Sequence, residues 1–238
     1  DGFAEAVRAF VTAGGRGCNV TVPFKLEAAQ LATTSSERVQ LAGAANTLVL
    51  AADGIHADNT DGLGLVADIV RNAGVPLAGR DLLLLGAGGA AAGALGSLLA
   101  ERPRRIAVVN RTFERAQALV QRHAAIAAQH GVELVALEQQ AVDEDFDVVI
   151  NATASSLAGA EVPVPARVLR TGSLAYDMMY GPAGQGFMQW AEQHGATARD
   201  GLGMLVEQAA ESFALWRGVR PPSAQVLNEL RAHIAQGG

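Results

Sequence analysis

Lysine is nearly missing from this sequence. Of the 18 Lys and Arg residues in 238, one is lysine, Lys25, and the rest are arginine. Cysteine is as scarce. Cys18 stands alone, which excludes an intrachain disulfide, fits a reducing compartment and, in its apolar stretch, reads as a small core residue. Excess positive charge is also missing. A net charge of −6 and a pI near 5.4 leave no broad basic face to neutralise a phosphate backbone, so nucleic acid is not an expected partner. The five histidines lack metal-ligand spacing, and no metal site is expected. No GxSxG or other hydrolase nucleophile signature is present. No charged-then-apolar leader opens the chain, which begins "DGFAEAVRAF".

Half of the residues are hydrophobic and 18% are charged, a balance that excludes disorder and supplies a core. Residues 82–100, "LLLLGAGGAAAGALGSLLA", have the length and neutrality of a membrane span. Five glycines, three of them directly behind four leucines, instead predict a buried strand, a tight turn and a helix, with no membrane partner. From there apolar runs (82–85, 106–109, 132–137, 148–150, 173–176) alternate with helical patterns (90–101, 112–130, 187–194). That alternation predicts a parallel sheet covered on both faces. The first 60 residues read differently, with strands at 17–22, 47–50 and 55–58 and a turn at Asp53-Gly54. A helix is predicted over 60–74, another over 203–216, and strand-helix signals beyond. The expected class is α/β: a small mixed domain over 1–60, a doubly wound domain over 61–202, and a closing helical segment over 203–238 that returns to the first domain.

Three features carry chemistry. "LLLLGAGGAAAG" sets a strand before Gly86-x-Gly88-x-x-Ala91 and a helix after it, the pattern that brings backbone and helix N-terminus up to a pyrophosphate. The next strand ends in Asn110-Arg111-Thr112, with Arg115 one turn on, where a free 2′-hydroxyl is usually held by Asp or Glu. Guanidinium groups there favour a 2′-phosphate, hence NADP over NAD. Asn151, Thr153, Asp177 and Tyr180 follow apolar strands at their C-terminal ends, the rim on which such sheets bind ligands.

Read in order, "NVTVPFK", "AGAANTL", "NTDGLG", "GAGGAAAG", "NRTFERA", "NATASSL", "YDMMY" and "DGLGMLVEQAA" resemble the shikimate dehydrogenase family over residues 19–210. The resemblance implies a small substrate domain beside a Rossmann-like NADP domain. It also implies a cytoplasmic enzyme of aromatic amino-acid biosynthesis that interconverts 3-dehydroshikimate and shikimate, small-molecule partners. Carried over by motif, Lys25 and Asp61 match the catalytic pair. Thr21, Asn46, Asp61, Tyr180 and Gln208 match substrate positions. Gly86, Ala87, Gly88, Gly89, Ala90, Asn110, Arg111, Thr112, Arg115, Met178 and Gly201 match cofactor positions, and Glu37 is a weaker cofactor carry-over. "GPAGQGF" after Tyr180 departs from the family, which more often has a Thr before the apolar residue. The family's opening strand-helix unit, with its Ser-x-Ser grip on the substrate carboxylate, has no match before "NVTVPFK". The chain as written is therefore expected to bind cofactor better than substrate.

The resemblance gives the lone lysine a role. Reducing a ketone needs a hydride donor and an acid; arginine cannot cycle a proton in a protein, whereas lysine can. Lys25 is read as the acid in reduction with Asp61 orienting it, and Asp61 as proton carrier stays open. An NAD-using quinate/shikimate dehydrogenase and a non-catalytic NADP-binding regulator are the rival readings. Oligomeric state, monomer or homodimer, is left open.

Overall fold

Leu82 and Leu84 point into one apolar cluster and Leu83 and Leu85 into another, so the strand they form is buried on both faces. That is why the run is continuous instead of alternating. The computed structural model describes residues 2–153 and 162–236. The end of the "NATASSL" motif, from Ala154 onward, lies outside the described residues.

The leucine strand, β5 (Asp81–Leu85), is central in a parallel six-stranded sheet. It is built with β6 (Arg105–Val109), β7 (Glu133–Leu137), β8 (Phe146–Asn151), β9 (Leu169–Asp177) and β10 (Thr197–Arg199). Spatial order is β10-β9-β8-β5-β6-β7, so the direction of winding reverses between β5 and β8. A crevice opens at such a reversal, outside the C-terminal ends of the strands. Helices α5 (Gly89–Ala100), α6 (Phe113–His130) and α7 (Gln185–Gln193) are the crossovers. α6 ends at Gly131, which takes the left-handed conformation (φ 69°) and donates to the Ala128 carbonyl.

The first lobe is a four-stranded mixed sheet of order β1-β3-β4-β2, from β1 (Gly17–Asn19), β2 (Thr34–Ser35), β3 (Thr47–Ala51) and β4 (Gly54–Asp58). α1 (Gly2–Thr12), α2 (Lys25–Leu31) and α3 (Glu37–Ala42) accompany it, with Val39, Leu48 and Leu50 in its core. Between the lobes runs α4 (Asp61–Ala67). It meets α5 on one side and α8 (Leu202–Arg217) on the other, and α9 (Ser223–Ala235) follows.

α4 fits there because it carries glycine at both crossings. A Cβ on Gly62 would lie 2.6 Å from the Gly93 carbonyl oxygen of α5, and one on Gly64 2.7 Å from Met204 O and Gln208 Cβ of α8. Backbone approaches backbone at both sites. Trp216 Nε1 then donates to Leu48 O at 2.9 Å, tying the end of α8 to β3.

Several expectations need correction. The strand expected over 17–22 stops at Asn19. Val20 N turns to Asn46 O, and the chain folds back through a turn closed by Phe24 N to Thr21 O. The helix expected over 60–74 is α-helical only from Asp61 to Ala67 and continues as a π turn, Asp68–Asn72. After Trp216 the signals yield a helix, α9, and no strand among the described residues. The two- and three-residue strands β2 and β10 are too short to show a period.

Gly64→Ala is expected to lower stability by about 1–3 kcal/mol, the usual cost of overpacking, because Met204 O is backbone and cannot step aside. Thermal unfolding checks it. A pH effect comes from His123, fully buried on α6 with Nδ1 2.9 Å from Leu119 O and Nε2 without a partner. Burial pushes its pKa down; Arg122 adds to this and the bond to Leu119 opposes it. The unfolded chain therefore binds the proton more readily, and stability falls as pH drops below about 6.5. His123→Leu should flatten the denaturation midpoint between pH 7 and pH 5.

Candidate active site

Lys25 is the first residue of α2 and Asp61 the first of α4, so both side chains leave helix starts at the seam between the lobes. Lys25 Nζ lies 2.6 Å from Asp61 Oδ2. The lysine side chain keeps 22% exposure, enough to exchange a proton with water, while the carboxylate has 9%. Asp61 Oδ1 accepts from Asn46 Nδ2 at 2.8 Å. Each carboxylate oxygen thus has its own donor. The turn that delivers Asp61 is stitched by Asn59, whose Oδ1 accepts from Asp61 N (3.1 Å) and whose Nδ2 donates to Ala44 O (2.9 Å).

Asn46 is itself fixed. Its Oδ1 accepts from Thr60 N (2.9 Å) and Thr47 Oγ1 (2.9 Å), and its Nδ2 also reaches Gln208 Oε1 at 3.1 Å. Behind it stands Ser212, fully buried, within 2.7 Å of Thr47 Oγ1, 3.2 Å of Thr60 Oγ1 and 3.0 Å of Asn19 Nδ2. Sequence reasoning missed Ser212 and Thr60. One signal was present: Ser212 is four residues after Gln208 on the same helix face.

A cleft of about 430 Å³ opens over this cluster. Thr21, Lys25, Asn46, Asp61, Tyr180 and Gln208, every residue matched to the substrate or the catalytic pair, line it. Met178 and Gly201, matched to the cofactor, line it too. The loops bearing those two are sewn together. Met178 N donates to Asn151 O, Gly201 N to Met179 O, and a Cβ on Gly201 would stand 2.3 Å from Met178 O. Asn151, Thr153 and Asp177 direct polar atoms into their own rim: Asn151 Nδ2 to Asp177 Oδ2 (3.1 Å), Thr153 Oγ1 to Asn151 Oδ1 (2.7 Å) and Met179 N to Asp177 Oδ1 (2.9 Å). Of the four rim residues, Tyr180 alone lines the cleft.

Apart from Glu37, the remaining cofactor matches follow the C-terminal ends of β5 and its neighbour β6. Gly86 has φ 107°, which an L side chain rarely adopts, and a Cβ there would lie 3.1 Å from Ala152 O. Gly88, Gly89 and Ala90 are exposed at the start of α5, which no side chain caps, so its first N–H groups are free for an anion. Asn110 Oδ1 accepts from Ala87 N at 3.2 Å and its Nδ2 donates to Thr112 O at 2.8 Å, holding the glycine loop against the end of β6. Arg111 and Arg115 are exposed there, in no ion pair with a described residue. The residues present fit a dinucleotide with a 2′-phosphate. Glu37 is exposed in the first turn of α3, outside the cleft lining, although α3 packs on α5.

A doubly wound sheet with a glycine loop at its reversal, joined by a cleft to a lysine–aspartate pair, defines a two-lobed dinucleotide-dependent oxidoreductase. Three family models match in order: "Shikimate dehydrogenase substrate binding domain" over 1–48, "Shikimate / quinate 5-dehydrogenase" over 68–162 and "Shikimate 5'-dehydrogenase C-terminal domain" over 201–231. The chain is 76% identical over 237 residues to shikimate dehydrogenase (NADP(+)) of Acidovorax ebreus (strain TPSY), covering 100% of this chain and 84% of that protein. Among solved structures, an Ael1 enzyme from Pseudomonas putida is 45% identical with TM-score 0.88, over 96% of this chain and 83% of that one. A shikimate dehydrogenase in complex with NADP+ is 29% identical with TM-score 0.83, over 97% and 81%. The chain belongs to the shikimate dehydrogenase family.

Lys25→Arg keeps the charge beside Asp61 and removes a proton that can be given up. Turnover is expected to fall ~10²–10⁴-fold with a much smaller change in substrate KM. Steady-state kinetics checks this, and a variant running at the wild-type rate would remove Lys25 from proton transfer.

Proposed function

We propose that this protein reduces 3-dehydroshikimate to shikimate with NADPH, reversibly. The observation that carries the reading is the Lys25–Asp61 pair at 2.6 Å on the wall of a cleft that Met178 and Gly201 also line. Relatives 76% identical over 237 residues bear the name shikimate dehydrogenase (NADP(+)), which supports the same substrate and cofactor. When bound, NADPH supplies the hydride. Lys25 donates its proton to the oxygen as negative charge develops there, and water replenishes the amine. Asp61 orients the ammonium, while Asn46, Gln208, Thr21 and Tyr180 bind the hydroxyls and ring. Gln208 Nε2 gives one hydrogen to Leu205 O and has a second to offer a substrate hydroxyl, a recognition mode that rejects analogues lacking it.

The reading divides the chain by role. Residues 1–60 serve the substrate and proton transfer, 61–202 the cofactor, and 203–238 close back on the first part, which the bonds from Ser212 to Thr47 and Trp216 to Leu48 support. The glycine loop and exposed Arg111 and Arg115 support NADP over NAD. A cytoplasmic location and a monomer or homodimer belong to the same proposal.

Assaying the full-length protein with shikimate and quinate, each against NADP and NAD, tests it directly. Shikimate with NADP is expected to give the highest kcat/KM. In the same assay Arg111→Asp should shift preference toward NAD, by removing a 2′-phosphate contact and adding a ribose acceptor. An unchanged cofactor ratio would take Arg111 out of the site.

A further inference from the structure

Asp68 is a carboxylate with no solvent exposure, two helical turns beyond Asp61 and at the point where α4 becomes a π turn. π turns inside α-helices are frequent at functional sites, because they redirect a side chain without ending the helix. Four donors fill its oxygens. Oδ2 accepts from Tyr176 Oη and Arg199 Nε, both at 2.8 Å, and Oδ1 from Arg199 Nη2 at 2.6 Å and Asn72 Nδ2 at 2.9 Å. Burial alone would raise its pKa, yet the Arg199, Asn72 and Tyr176 contacts outweigh it and hold the carboxyl below its ordinary value. Tyr176 is pushed well above its usual range, chiefly by burial, so it remains a phenol that donates.

The partners' positions matter more than their number. Tyr176 is two residues before Met178 at the end of β9, and Arg199 two residues before Gly201 at the end of β10. Those strands end in the loops that line the cleft from the sheet side. The start of α8 is pressed onto the same group, since a Cβ on Gly203 would lie 1.9 Å from Asp68 Oδ1. Asn72 also donates to Glu207 Oε1 at 3.1 Å, and Glu207 is the neighbour of Gln208. One carboxylate therefore touches β9, β10 and the start of α8, the elements that lead to Met178, Gly201 and Gln208, while its own helix carries Asp61.

We infer that Asp68 is a positioning residue that sets the register between the proton-transfer pair and the loops carrying Met178 and Gly201. The inference rests on the functional reading above. Apolar helix faces slide past one another at small cost, whereas directional bonds to a fully buried carboxylate fix distance and angle. Catalysis is sensitive at that scale: a displacement of about 1 Å can cost ~10²-fold in rate. A fold-stabilising role is the weaker explanation of the cluster, because a buried ion pair replaced by apolar groups often leaves stability unchanged.

Two variants of the full-length protein test this. Tyr176→Phe removes one hydroxyl with little effect on folding, and Asp68→Asn keeps the shape and removes the charge. Expected are kcat losses of ~3–10-fold and ~10–10²-fold respectively. Substrate KM and NADPH affinity, the latter by nucleotide fluorescence, should change less than ~3-fold. The isotope effect on kcat with 4-deuterated NADPH should rise, because a displaced donor slows the hydride step relative to release. Amide exchange over 61–67 and 197–203 should quicken in Asp68→Asn. Partial unfolding would instead scale kcat with the folded fraction and leave the isotope effect alone. That result, or unchanged exchange in both segments, would overturn the inference. A wild-type protein inactive on shikimate would remove the functional reading, and the exchange data would still decide the role of Asp68.

Discussion

The approach of α4 to its two neighbours is the constraint on which the site depends. Gly62 meets Gly93 of α5 and Gly64 meets Met204 of α8, backbone to backbone. Without those contacts the helix start bearing Asp61 would ride outward by about the width of a methyl group, and Asp61 would leave both Lys25 and Asn46. The same helix therefore belongs to both lobes. It closes against α5 through one glycine and against α8, which bears Gln208, through the other. Small residues in "NTDGLG" are a packing requirement as much as a chemical one.

What α4 brings together is a buried polar cluster, which is costly unless every group is satisfied. Asn46, Thr47, Thr60 and Ser212 meet that condition by closing on one another, so their orientation is set before any ligand enters. Asn46 cannot turn its amide over, because its oxygen has donors on one side and its nitrogen has acceptors on the other. Preorganisation of that kind lets Asp61 hold Lys25 without reorganising during reaction. The cofactor side is built in the opposite way. Its N–H groups at an uncapped helix start and its guanidinium groups stay exposed to water, an arrangement that suits an anionic ligand.

Much of this was legible in the chain. Four leucines followed by Gly86-x-Gly88 predicted a doubly covered strand and the turn after it, because both follow from the preferences of adjacent residues. The lone lysine singled itself out, and the family resemblance, not the motif by itself, paired it with Asp61. Legibility failed where elements are short or irregular. β2 and β10 have no room for a period, and the strand expected to reach Val22 ends three residues early because Val20 bonds outside the sheet. Asn151 and Asp177 end their strands on the rim as read, and the bonds among them and Thr153 could not be foreseen because they cross between strands.

By itself, then, the sequence determined the α/β alternation and the glycine turn after the leucine strand, since strand burial and glycine turns are local properties. The Lys25–Asp61 pair came from the resemblance of their motifs to a family. Tertiary structure alone decided which polar side chains are buried and whom they meet. Asn19 reaches Ser212 across 193 residues, and Asp68 reaches Arg199 across 131. No periodicity records such pairs. Their partners are set by where helices cross, and crossings are set by the summed shape of many side chains, not by any short run of residues.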